Sequence, residues 1–173
     1  MHGIITDGGQ VPNIIPVRAA ARWMVRAPDP VLLEQVYARV LDCARAGALA
    51  SGTQVDIHHI TTVYNTRINP TLNRLFVQNM EQLGSPVTQP PLQMGGSTDF
   101  GNVSQVLPAA MYMIKTHPSG LPLHSTEVAE GSGQAMALDG MMMGACALAG
   151  VAIDLLSAPA LLEQARQDFE HVR

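Results

Sequence analysis

A chain of 173 residues has room for one compact domain or for two small lobes sharing a connection. Its net charge of −4 gives no electrostatic basis for binding nucleic acid. Hydrophobic residues make up 47% but aromatics only 4%, so a core has to be built from Ala, Val, Leu, Ile and the ten Met.

The opening residues, MHGIITDGG, show no basic stretch followed by an apolar run, so no secretory signal is read there. Gly3 to Thr6 is a short β-rich run, and the DGG after it marks a turn, because glycine supplies the positive φ such turns need. In ARWMVRA, Ala21, Trp23 and Val25 point one way and Arg22, Met24 and Arg26 the other, the alternation of a strand with one apolar face. Asp29 then fits a helix N-cap and Pro30 the first helical position. Leu33, Val36, Tyr37, Val40, Leu41 and Ala44 form an apolar stripe at helical spacing, with Gly47 and Gly52 as stops.

TQVDIHHITTVY (53–64) is rich in β-branched residues and reads as another strand. The cap-plus-proline signal recurs at Asn69-Pro70, followed by the stripe Leu72, Leu75, Phe76, Met80 and Leu83 and a stop at Gly84. A proline-rich loop occupies 85–93, and NVSQVLPAAMYMI (102–114) reads as one or two strands interrupted by Pro108. THPSGLPLHS (116–125) is loop. Two helices close the chain, one around 134–156 and one from near Pro159 with Leu161, Leu162, Ala165 and Phe169 on one face. The longest charge-free apolar run, Gly140 to Ile153, is too short to span a bilayer and reads as a buried helix. Cys43 and Cys146 show no disulfide spacing and read as buried thiols in a reducing compartment. The expectation is a soluble, cytoplasmic α/β chain in two lobes, with a seam near Arg67 to Pro70.

Four segments, in order, carry a family resemblance: HGIITDGGQVPNIIP (2–16), RWMVRAPD (22–29), GGSTDFGNVSQVLPA (95–109) and PLHSTEVAE (122–130). Together they resemble the dizinc aminoacylase/carboxypeptidase family of amidohydrolases (metallopeptidase family M-twenty). STDFGNVS is most similar to its p-aminobenzoyl-glutamate hydrolase and dipeptidase-like branch. The resemblance implies an α+β chain. Residues 1–68 would form part of a ferredoxin-like lid and dimerisation domain (βαββαβ lacking its first strand and helix). Residues 69–173 would form the C-terminal part of an α/β catalytic domain. Within the lid, 2–6, 18–27, 30–46 and 53–68 would be strand, strand, helix and strand.

The resemblance also implies zinc, two ions in the complete enzyme, and a small substrate: an N-acyl amino acid, an aminobenzoyl-glutamate-like conjugate or a dipeptide. His124 matches the family's last metal ligand, while the chain has no His-x-Asp and no Glu-Glu for the others. The general-base glutamate is likewise expected in a missing N-terminal half, so no catalytic residue is assigned to this chain. Asn13 matches a lid amide that helps polarise the scissile carbonyl. Arg26 matches a lid arginine, and bidentate pairing suits it to a substrate carboxylate. Gly96 and Ser97 would let the backbone approach the substrate.

Each residue also has a plainer role. His124 can be a loop histidine bonded to a carbonyl, Asn13 can stabilise its own turn, and Arg22 reads as a solvated charge. Asp99 reads as an acid that holds its loop by accepting backbone hydrogen bonds, and His58 and His59, facing opposite ways on a strand, as structural. A local metal site from His117, His124, Glu127 and Glu130 has no supporting ligand spacing. Two functions follow. The chain is part of a metal-dependent amidohydrolase that works as a homodimer or with its missing half, or it is a non-catalytic dimerisation and substrate-binding fragment. No membrane partner is expected.

Overall fold

The computed structural model describes residues 1–85, 87 and 97–171. They divide into two units, Met1–Asn65 and Thr66–Arg173. The fold class is α+β: six helices and one two-stranded antiparallel sheet among the described residues.

In the first unit, β1 (His2–Asp7) pairs with β2 (Ala20–Met24), and the register slips between Ile5 and Asp7. Gly3 faces Trp23 across the ribbon, and a Cβ on Gly3 would run into the Trp23 indole, so the ring lies where only glycine leaves room. The expected one-sided burial of this strand does not occur. Trp23 and Met24, on opposite faces, are both exposed, because two strands alone supply no layer to cover either face.

α1 (Pro30–Ser51) starts as its caps dictate, with the Asp29 carboxylate accepting from Leu32 N at 2.8 Å. It runs through Gly47 and stops at Gly52, whose φ of 65° only glycine adopts cheaply. The predicted stripe from Leu33 to Ala44 is the half-buried side of the helix. Residues 53–65 lie along it, fixed by His59 Nδ1 to Tyr37 OH at 2.9 Å and by Tyr64 OH donating to Glu34 at 3.2 Å. The strand expected over 53–68 is absent: this stretch carries no regular element. β-branched composition favours a strand only where a neighbour offers a ladder, and among the described residues none pairs with this stretch. None of residues 1–65 is fully buried.

The second unit holds the core. α2 (Pro70–Gln82) packs on α5 (Ala135–Ser157) and α6 (Pro159–His171). Leu75, Phe76 and Met80 of α2 meet Ala147 and Val151 of α5, with Tyr112 and Leu161 at the margin. The predicted α2 stripe is therefore the buried face, except Leu83, which is exposed. Polar pins join α2 to α6. Asn69 caps α2 through its Oδ1 and donates from Nδ2 to Ala165 O at 2.8 Å, while Thr71 donates from its hydroxyl to Asp168 at 2.7 Å.

Sequence NVSQVLPAAMYMI does not form paired strands. Its start belongs to α3 (Phe100–Ser104), and residues beyond Pro108 run without an assigned ladder. A short α4 (Thr126–Gly131), absent from the sequence reading, is capped by Ser125 accepting from Val128 N.

α5 is buried along one stripe only: Ala137, Gly140, Gly144, Ala147 and Val151. By length and composition it is long and apolar enough to cross a membrane. Cys146 lies on its exposed side and Cys43 is exposed on α1, so neither thiol is buried as expected. Gly140 is placed so that a Cβ would meet the Lys115 carbonyl oxygen, a backbone atom that cannot move aside cheaply. Gly140→Ala should therefore cost about 1–3 kcal/mol of stability in urea unfolding. Gly47→Ala, with nothing within 4 Å, should gain up to about 1 kcal/mol. Equal effects at the two sites would mean that residues 115–116 do not lie on α5.

Candidate functional site

The described site residues sit on loops flanking regular elements. Each is set by local backbone chemistry, and the two units are described separately.

In the first unit, Asn13 lies in a tight turn closed by Ile14 N donating to Val11 O at 3.3 Å. Pro12 and Asn13 take the two central positions, where a proline-fixed φ and a turn-tolerant Asn both fit. The turn leaves the Asn13 side chain exposed. Arg26 lies two residues beyond β2 rather than ending it, and its guanidinium contacts Met24 Sδ at 3.2 and 3.3 Å. It is exposed and held close to its strand. Arg22, also exposed, is consistent with a solvated charge.

In the second unit, Ser97 is exposed, and Gly96 lies outside the described residues. Asp99 occupies the N-cap of α3 and is exposed; among the described residues its carboxylate accepts from the Thr98 hydroxyl at 3.4 Å and makes no side-chain cap bond. Its neighbour takes that part: the Thr98 hydroxyl oxygen accepts from Phe100 N at 3.3 Å. Ser104, fully buried, donates to Gly101 O at 2.6 Å and accepts from Arg67 N at 2.9 Å, which ties the STDFGNVS segment to the start of the unit.

His124 differs from the other histidines in its backbone. Its φ is 62°, and it is the only non-glycine with positive φ among the described residues. A left-handed conformation costs an L-residue about 1–2 kcal/mol, so something other than local preference holds it there. The turn delivers the chain to Ser125, which caps α4, and leaves the imidazole exposed. Glu127, in the first turn of α4, has its carboxyl held below the usual range by its own backbone N–H and by the Ser125 hydroxyl.

The neighbouring histidine is engaged elsewhere. His117 Nε2 lies 2.9 Å from Val128 O, which can only accept, so Nε2 carries the proton. Nδ1 then accepts from the Thr116 hydroxyl at 2.8 Å. With both ring nitrogens used, His117 braces the loop against α4 and is not available to a local metal site. His58 and His59 are also separate: His58 meets Asp56 at 2.9 Å, while His59 is bonded to Tyr37 and Thr62.

Among the described residues, no three His, Cys, Asp or Glu side chains are grouped as ligands for a metal ion. Zinc takes three or four protein ligands. The chain offers one loop imidazole, so its described residues do not by themselves fit a zinc site. The signal that sequence reading missed is conformational. The strain at His124 sets this residue apart from the other histidines, and no residue pattern announces it.

The chain matches no model of a known protein family. It is 37% identical to the Xaa-Arg dipeptidase of Mus musculus and 36% identical to that of Homo sapiens. Each comparison runs over 174 residues and takes in 98% of this chain and 40% of the relative. It is 21% identical over 226 residues to one of the subunits of the p-aminobenzoyl-glutamate hydrolase of Escherichia coli (strain K12), covering 99% of this chain and 47% of that protein. The chain therefore spans less than half the length of the curated relatives it matches.

The strain at His124 gives a direct test. His124→Gly should raise stability by about 1 kcal/mol, and His124→Val should lower it by at least about 1 kcal/mol, as read from urea midpoints. A loss on going to Gly would show that the imidazole itself holds the loop.

Proposed function

Because the chain belongs to the amidohydrolase family of these dipeptidases and aminobenzoyl-glutamate hydrolases, we propose that it is the C-terminal part of a metal-dependent amide-bond hydrolase. Its substrate class is dipeptides, N-acyl amino acids or aminobenzoyl-glutamate-like conjugates. The observation that carries this reading is similarity over 98% of the chain to two relatives named as dipeptidases. The first unit is the lid and dimerisation part, with 53–68 as a strand that forms only beside its sheet neighbour. The second is the C-terminal part of the catalytic domain.

The roles follow from the chemistry of the side chains. Arg26 is exposed, and its fork geometry suits the free carboxylate of a dipeptide. Asn13, presented by a two-residue turn, offers an amide N–H to the oxygen of the bond being cut. Ser97 and Gly96 act through the backbone. His124 supplies one metal-binding imidazole. The remaining ligands and the general base lie outside this chain, and the complete enzyme works as a homodimer or with that missing part, without nucleic acid or membrane, in the cytoplasm.

A second reading is a non-catalytic dimerisation and substrate-binding fragment. It is favoured by the lone ligand: one imidazole is short of what zinc needs.

Metal content and turnover decide between active and inactive forms of the chain. After dialysis against metal-free buffer, the purified chain should retain near zero zinc and should hydrolyse neither an Xaa-Arg dipeptide nor p-aminobenzoyl-glutamate. One or two tightly held ions with turnover would show a complete site and sink the fragment reading. In an active complex with the missing half, Arg26→Ala should lower kcat/KM by roughly 10- to 100-fold, mostly through KM, as loss of a charged hydrogen bond predicts. An unchanged KM would remove Arg26 from substrate binding.

A further inference from the structure

None of the roles proposed above falls on Asp7, Gly8 or Gly9. Asp7 is the last residue of β1, and the two glycines carry the chain into the loop. All three residues are exposed. The register of β1 and β2 slips between Ile5 and Asp7, so the ladder is already irregular where the loop begins. Gly9 takes a φ of 96°, and its N–H donates to Asp7 Oδ1 at 3.3 Å. That bond turns the Asp7 carboxyl forward along the chain, toward the glycines. Gly8 has no side chain to shield its nitrogen, and a Cβ there would meet only Ile5, at 3.5 Å.

A second Asp-Gly pair, Asp139–Gly140, lies in the same chain. The residue types match and the surroundings are opposite. Both residues lie inside α5, where each backbone N–H is committed to the carbonyl four residues back. Gly140 is buried, with the Lys115 carbonyl against it. Asp139 is exposed like Asp7, so exposure of the acid does not separate the two pairs. Backbone freedom does. An aspartyl carboxyl reacts with the amide nitrogen of the next residue only when the backbone rotates that nitrogen toward Cγ. A glycine in a loop permits the rotation, and a helix forbids it until its turn opens.

We propose that Asp7–Gly8 is a site of spontaneous isomerisation to an isoaspartyl linkage, from which Asp139–Gly140 is protected by its helix. The Gly8 nitrogen attacks Asp7 Cγ. The N–Cγ bond forms, the bond from Cγ to its hydroxyl oxygen breaks, and the proton of the nitrogen leaves with that oxygen as water. Water then adds to the resulting succinimide. Attack at Cγ breaks the new bond and restores aspartate. Attack at the main-chain carbonyl carbon breaks the original peptide bond, leaving the chain to run through Cγ and the former main-chain carboxyl free. The water released in the first step is matched by the water consumed in the second, and nothing is oxidised or reduced. The product keeps its mass and gains a methylene in its backbone. The loop between Asp7 and Ala20 takes up that length.

Ageing the full 173-residue chain in warm neutral buffer, folded and in urea, tests this. Peptides bearing residues 7 and 139 are separated by liquid chromatography, and a protease that cuts before aspartate but not before isoaspartate identifies the product. In the folded chain isoaspartate should build up at least about tenfold faster at 7 than at 139, the ratio that about 1.4 kcal/mol of local opening in α5 produces. In urea the two rates should agree within about threefold, the scatter that residual structure allows. Gly8→Ala restricts the rotation that brings the nitrogen to Cγ, and should slow the reaction at 7 at least about tenfold with circular dichroism unchanged. Asp7→Glu, which would have to close a larger ring, should leave no isomer at 7.

Equal accumulation at 7 and 139 in the folded chain would overturn the proposal. So would an aspartate at 7 that persists in the folded chain and isomerises only in urea. Isomer at 7 that forms as fast in Gly8→Ala, or that survives Asp7→Glu, would remove the Gly8 nitrogen from the reaction. None of these readouts depends on amide hydrolysis, so the hydrolase reading stands or fails separately.

Discussion

The small-residue stripe of α5 is the constraint on which the second unit depends. Gly140, Gly144, Ala147 and Gly150 remove side-chain bulk along one side of the helix, and three different neighbours use the space. The extended residues 114–116 occupy the first part, and Phe76 and Met80 of α2 close on Ala147. Asn79 lies against Gly150, so close that a Cβ there would collide with its carboxamide. That approach lets Asn79 donate to Asp154 at 2.8 Å while also donating to Leu75 O at 2.9 Å. A chain poor in aromatics thus packs this seam by bringing backbones together rather than by filling space with rings.

Polar groups then fix the angle at which α6 meets this pair. Asn69, Thr71 and Asp168 are joined at the α2 N-terminus, where a helix has spare N–H groups to satisfy. Arg67 places its guanidinium 4.9 Å from the centre of the Phe169 ring and donates to Phe169 O at 3.0 Å. Burial raises the Tyr112 phenol above its ordinary range, so it stays a donor to Leu72 O throughout the physiological pH span. The first unit has no counterpart to this. Its helix is fastened to residues 53–65 by exposed pairs such as Tyr37 with His59, contacts of a kind that open at low cost.

Helices were legible because their signals are local. Asp29-Pro30 and Asn69-Pro70 marked the starts, Gly52 and Gly84 the ends, and the 3.6-residue stripes the covered sides of α1 and α2. The failures share one cause. A strand's existence depends on a partner, and TQVDIHHITTVY and AAMYMIKT carry strand composition in a chain that gives neither of them a ladder among the described residues. The same reasoning explains α5. Its sequence reads as a buried helix because both sides are apolar, and only one side finds cover. Of the candidate site, the sequence marked a turn before Asn13 but not the Val11–Ile14 turn that holds it, and it ended the strand at Arg26, two residues beyond β2. The cap of α3 is made instead by Thr98, whose hydroxyl accepts from Phe100 N.

His124 separates stability from function within one loop. A glycine would serve the turn into Ser125 better, as glycine does at the φ of 94° adopted by Gly120 a few residues before it. Imidazole is present instead, exposed, in a strained backbone and beside a histidine, His117, that does the structural bonding. The two histidines of this loop have therefore divided the work. One has both nitrogens committed to the chain, and the other is exposed on a left-handed backbone. Backbone strain of this kind clusters at functional positions.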